Sequence, residues 1–228
     1  MPAKQQNMKK TLFIFAIMLF LTSCLSKVAL SPEYWNKSSK VGILVNVNPP
    51  SRYRAGGQGL LDLAVTSGSK YDEALKIIGN KIQPKDELIN MYTEILKSKG
   101  KELVIIEENF DPKTMPKFNG QKLEGKKYPR YDFSSLKSKY NVDELIFVDV
   151  NYGFMISYYG MIETGKMAHV FLNTNLINLS DNSLIMANMN EKNENLKKWK
   201  DNNFENSVQG VRLALDKIKE EEKSLNFK

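Results

Sequence analysis

Apolar and polar positions alternate in two different periods along the chain, and the change of period marks the elements. "KVGILVNV" (40–47) is a short β-branched run closed by Pro49 and Pro50, the pattern of a buried strand. In "PKDELINMYTEILKSKG", Leu88, Met91, Tyr92, Ile95 and Leu96 recur at helical spacing. Pro84 suits the first turn of that helix, Asp86 and Glu87 complement its dipole, and Gly100 closes it. "ELVIIEE" (102–108) predicts a second strand, and 132–140 a short helix. A long strand over 143–159, a turn over 160–165, a return strand over 166–179 and a third strand over 184–189 read as an antiparallel meander. Phe204, Val208, Val211, Leu215 and Ile218 form the stripe of a last helix that Asn203 can cap. Loops are expected around the glycines at 56, 57 and 59, with a short element over 60–65, and over 109–131 and 190–203. The order predicts an α/β fold: a mixed sheet built from strand–helix–strand–helix, then a meander and a C-terminal helix, with the helices packed on the sheet.

One apolar run obeys neither period. Residues 11–21 carry no charge, follow Lys4, Lys9 and Lys10, and are too short to span a bilayer. They lead into Leu21-Thr22-Ser23-Cys24, which resembles the bacterial lipobox: an aliphatic residue, two small residues and a cysteine. The resemblance implies cleavage after Ser23, a diacylglycerol on the Cys24 thiol and an acylated new amino terminus. Residues 1–23 are then a signal peptide, 24–39 a lipidated tether and 40–228 a single domain. Leu25, where Asp would favour retention in the inner membrane, implies the outer membrane, facing the periplasm. Tyr34 and Trp35 are the exception in the tether, and folding back onto the domain is the favoured reading.

Composition narrows the partners. The whole chain has 33 basic and 26 acidic residues. Without residues 1–23 the balance drops from +7 to +4, because three lysines leave and no acid does. The charges are mixed in sign and the chain reads as exported, so nucleic acid is not an expected partner. Cys24 is the chain's single cysteine, so no intrachain disulfide is available and the fold must rest on its core.

The layout is similar to envelope lipoproteins whose domain resembles the amino-terminal domain of TolB, among them the curli-secretion lipoprotein and the lipoprotein activators of penicillin-binding proteins. "VGILVNV", "DELIFVDVNYGF" and "LINLSDNSLI" carry the resemblance. An Asp-x-x-x-Gly type turn is common in the last of these, and Asn182 and Ser183 stand where the Gly is expected. The resemblance implies a scaffold or binding role and names no partner.

Candidate chemistry is sparse. His169, the single histidine, sits in a strand between Ala168 and Val170, with Ser157 and Asp149 on the neighbouring strand and no nucleophile elbow. One histidine with no second thiol excludes ordinary zinc sets, no calcium-loop spacing occurs, and neither metal nor cofactor is expected. The pairs Asp72-Glu73, Asp86-Glu87, Glu107-Glu108 and Asp143-Glu144 read as helix starts and solvated faces. "RAGGQG" (54–59) lacks the P-loop and dinucleotide patterns. Arg, Tyr and Trp dominate interface energetics, so the candidate partner-binding residues are Arg52, Tyr53 and Arg54, then Tyr128, Arg130 and Tyr131, then Trp199. The alternative for these aromatics is that they cover the sheet. The expectation is a non-enzymatic adaptor of an envelope assembly, held to the membrane by lipid, with an envelope protein as partner and homo-oligomerisation left open. A periplasmic hydrolase using His169 or a carboxylate pair, and a subunit of an outer-membrane secretion pore, are the alternatives.

Overall fold

A computed structural model describes residues 27–55, 68–160 and 162–227, without the side chains of 225 and 226. Cys24 with the apolar run before it, the glycines at 56, 57 and 59, and the element expected over 60–65 lie outside the described residues.

Strand β4 (Glu144–Tyr159) is the spine of a six-stranded mixed sheet. On one side it pairs in parallel with β1 (Lys40–Val47), which pairs in parallel with β3 (Glu102–Ile105). On the other side β5 (Ile162–Asn178) and β6 (Ser183–Asn195) follow as an antiparallel meander. Pro49 and Pro50 have no N–H for a ladder, so they end β1. The chain then resumes as β2 (Ser51–Ala55), parallel to the far half of β4. That stretch was expected as part of a loop. Its five residues have the alternating faces of a strand, but Arg at positions 52 and 54 hides the apolar signal.

Helices α1 (Asp72–Lys81), α2 (Pro84–Ser98) and α4 (Asp201–Asn226) cover one face of the sheet. Strand alternation decides what they meet: Ile146, Val148, Val150, Phe154 and Ile156 of β4 and Val170, Leu172 and Leu176 of β5 pack with Leu88, Tyr92, Leu96, Val211, Leu215 and Ile218. The periodicity of 72–81 was not among the expected helices. A short α3 (Ser135–Tyr140) lies on the opposite face, where Leu44, Leu145, Phe147 and Ile177 form a smaller cluster with Ile106, Phe133 and Leu136. Beyond Phe147 this second face turns polar.

Three boundaries shift. β5 begins at Ile162, because the hairpin turn is tighter than the composition of 160–165 implies. β6 runs to Asn195 instead of ending at 189. Its polar end is satisfied by α4: Lys192 pairs with Glu221, Lys217 Nζ lies 2.6 Å from Glu194, and Asn190 reaches Glu222. α4 opens at Asp201, and Asn202, Asn203 and Phe204 have positive φ there, so Asn203 forms a left-handed turn rather than a cap.

From Val28 onward the stretch read as a tether is built into the fold. Val28 and Ala187 exchange backbone hydrogen bonds of 2.9 and 3.0 Å. A 3-10 helix over Pro32–Asn36 buries Tyr34, whose hydroxyl donates to Glu144 at 2.7 Å. Lys101 Nζ ties this segment down by donating to the Lys37 carbonyl at 2.5 Å and to Ser39 Oγ at 2.9 Å. Trp35 packs beside Tyr34, so both aromatics fold back as favoured. Among the described residues no helix is long and apolar enough to cross a membrane.

Candidate functional site

The polar part of the uncovered sheet face is made by pairs of residues two apart on adjacent strands: Asn46 and Asn48, Asp149 and Asn151, Asn173 and Asn175. Register sets them side by side. Asn46 lies opposite Asp149, Asp149 opposite Asn173, and Asn173 opposite Met189. Asn46 Nδ2 and Asn48 Nδ2 both donate to Asp149 Oδ1, at 2.7 and 3.0 Å, and among the described residues nothing bonds Asp149 Oδ2. Asn175 Nδ2 donates to Asn173 Oδ1 at 3.2 Å.

The segment 109–131 folds back over one end of this face. Phe118 N–H donates to the Arg130 carbonyl at 3.1 Å and Asp132 N–H to that of Pro116 at 2.9 Å, so the expected loop is a closed, ordered excursion. Asn182 holds its base. It takes the positive φ expected of a glycine, which Asn tolerates, and its buried amide accepts from Phe133 N–H and donates to the Tyr131 carbonyl, both at 3.0 Å. Phe110 packs edge-on to Tyr131 and against Phe147, fixing the loop to the sheet. Tyr128 stacks on Phe118 at 5.0 Å, and its hydroxyl accepts from Leu123 N–H.

Between loop and sheet lies a groove of about 550 Å³. Aromatic rings of Phe110, Tyr128 and Tyr131 form one wall, and Asp149, Asn173 and Asn175 form the floor. Arg130 stands at the side with its guanidinium 5.4 Å from the Tyr131 ring and without an ion pair among the described residues. A ligand-sized concavity with apolar walls and a few convergent polar groups is the usual form of a binding site.

The structure therefore brings together Tyr128, Arg130 and Tyr131 and separates the other candidates. The pleat of β2 splits the cluster at 52–54. Arg52 donates to the Gly68 carbonyl at 2.7 Å, and Arg54 lies over the Tyr158 ring at 4.5 Å. Tyr53 points to the uncovered face, 4.7 Å from the His169 ring, and burial raises its hydroxyl pKa. Tyr53 is opposite Met155, and its hydroxyl donates to Asn151 Oδ1 at 3.4 Å, so it sits on the same polar face beside the groove without lining it. Trp199 is core: it packs on Tyr71, Phe154 and Phe204 and is 9% exposed, because the left-handed turn at 202–204 folds it inward. None of the six amide and carboxylate residues of the face was among the expected binding residues, and Asp149 entered only as a neighbour of His169. Their signal, a polar i, i+2 pair repeated in three strands, is visible only once the register is known.

His169 lies opposite Gly153, with Nδ1 2.8 Å from Asn193 Oδ1. Ser157 and Asp149 are each four residues from that point on β4, about 13 Å away in opposite directions, and no triad forms. Three of the four acid pairs have a member engaged structurally, and Asp72-Glu73 stands exposed at the start of α1. Arg212 and Lys219 hold Glu87, Lys139 and Tyr140 hold Glu108, and Glu144 receives Tyr34. Among the described residues no group of three or more His, Cys, Asp or Glu could hold a metal. The meander is equally committed: the helices bury one face of the β4–β5 hairpin, and the amides occupy the other.

Fold and groove thus define an α/β protein with one uncovered, amide-lined sheet face. No protein-family model matches the chain, and no curated protein does. Matches among solved structures include a PelC dodecamer from Paraburkholderia phytofirmans, 11% identical over 89% of this chain and 96% of that one, with a TM-score of 0.37. A putative neuraminyllactose-binding hemagglutinin homolog from Helicobacter pylori is 14% identical over 81% and 83%, with a TM-score of 0.34. A lipoprotein from Neisseria meningitidis is 14% identical over 82% and 99%, with a TM-score of 0.30. At such identities and TM-scores none of them lends this chain a function.

Proposed function

We propose that the chain is a lipid-anchored envelope lipoprotein, held at Cys24 in the outer membrane and facing the periplasm, that binds a partner without catalysis. The groove between segment 109–131 and the sheet carries this reading. It sets Arg130 and Asp149, of opposite charge, beside aromatic walls, and it offers no nucleophile with a base in reach. Its polar groups are fixed by the sheet and by Asn182, so little side-chain freedom is lost on binding. The partner is an envelope component, and the protein acts as an accessory factor of the assembly that contains it.

The test compares recovery of crosslinked neighbours with thermal stability in single variants of the native protein. Tyr131→Ala and Arg130→Ala should lose a partner that Trp199→Ala retains, while Trp199→Ala should lower the melting temperature most, at a cost of about 3–5 kcal/mol for a buried Trp. Partner recovery unchanged in both groove variants refutes the groove as the binding site. Anchoring is read separately: Cys24→Ala should abolish incorporation of labelled palmitate, and label still entering that variant refutes the lipid attachment.

A further inference from the structure

Lys27 is the first described residue, three residues after Cys24, and it lies beside the basic segment 109–131. Lys27 and Val28 line a shallow depression of about 240 Å³ with Gly125, Lys126, Lys127 and Leu184. The placement is fixed by the Val28–Ala187 backbone pair and by Leu184 N–H donating to the Lys127 carbonyl at 2.8 Å. Three residues span no more than about 11 Å. A lipid on Cys24 therefore enters a bilayer within that reach of Lys27, leaving no length for the domain to stand away from the surface.

The part of the domain brought down in this way differs from the rest. Residues 111–131 hold six cations (Lys113, Lys117, Lys122, Lys126, Lys127 and Arg130) against Asp111 and Glu124. Their balance of +4 equals that of the whole chain after Ser23, so the remainder is neutral. Lys126 is 2.6 Å from Asp181, and the other five cations form no ion pair among the described residues. Leu123 sits among them with 47% of its surface exposed. Lysines around an exposed aliphatic side chain fit a surface with anionic headgroups and an apolar interior.

We infer that the outer side of segment 111–131 is a membrane-docking surface for anionic lipid, with Leu123 entering the interface and the lysines on the headgroups. The inference rests on the anchoring proposed for Cys24. It makes the anchor and the loop one attachment that fixes the domain's orientation, with the groove mouth held near the membrane. Each lysine at an anionic surface is worth roughly a fivefold factor in partitioning, so a few act together strongly.

The experiment uses the full chain, lipidated and reconstituted in vesicles of phosphatidylethanolamine and phosphatidylglycerol. With Cys24 blocked by lipid, a nitroxide can be placed at Leu123→Cys, or at Asn90→Cys on the exposed side of α2 as a reference. The label at 123 should be several-fold less accessible than that at 90 to a water-soluble nickel chelate, and more accessible to oxygen. Phosphatidylcholine vesicles, high salt, or Lys122→Glu, Lys126→Glu and Lys127→Glu together should return it to water. A label at 123 as accessible as that at 90 overturns the docking surface, and protection unchanged by the triple reversal overturns its electrostatic basis. The mass of the diacylglyceryl group is measured on the same sample. A chain lacking it fails the anchoring reading, whereas a lipidated chain with a wet Leu123 fails the docking inference alone.

Discussion

Glu222 is fully buried beneath β5 and β6, and its hydrogen-bond partners among the described residues include neutral donors. Tyr92 donates from its hydroxyl at 3.0 Å and Asn190 from its amide at 2.5 Å. Burial pushes its carboxyl above its ordinary value of 4.5, although these hydrogen bonds and those from Thr174 and Asn188 oppose the shift. A raised acid pKa means that the folded protein keeps the proton to higher pH than the unfolded chain does. The contribution of Glu222 to stability is then complete below about 4.5 and declines as pH rises through the folded value. Glu222→Gln keeps an amide for Tyr92 and has nothing to ionise. The unfolding free energy of that variant, measured against the parent by denaturant titration, should improve progressively from pH 4 to pH 8. A difference independent of pH across that range would show that Glu222 does not titrate there.

Gly153 decides whether β2 belongs to the sheet. Its φ is +136°, and an added Cβ would lie 2.1 Å from the Ser51 carbonyl oxygen, which is backbone and cannot turn away. Gly153→Ala should therefore displace β2, lowering stability by about 2–4 kcal/mol, with amide-exchange protection lost over Ser51–Ala55 and kept in β5. Retained protection at 51–55 would mean that β4 can absorb the side chain. β2 also shows where the sequence stops being legible. The meander, α2 and the C-terminal helix follow from periods that any reader of the apolar positions can count, because packing against a single core imposes them. β2 does not, since its pairing depends on a glycine 102 residues away in sequence. The groove was half legible. Tyr128, Arg130 and Tyr131 stand out by residue type, but Asp149 and the asparagines become a site only through register, and Trp199 is hidden by a backbone turn that composition does not announce.

Across the molecule, the long-range parallel pairings have a consequence in time. Val41 meets Glu144 across 103 residues, whereas β4, β5 and β6 are joined by short turns. Closing the long loop costs more entropy before any contact repays it, so the meander should assemble first, with overall folding on the order of milliseconds to seconds. Pulsed hydrogen exchange during refolding should protect the amides of 170–178 before those of 41–47. The reverse order would show that the first strand nucleates the fold. A chain that emerges amino terminus first from a translocation channel therefore carries its leading segment undocked until residue 159 has followed it through. In the lipoprotein proposed above, the thiol at position 24 would meet its processing enzyme in that interval, before Val28 is fastened to β6.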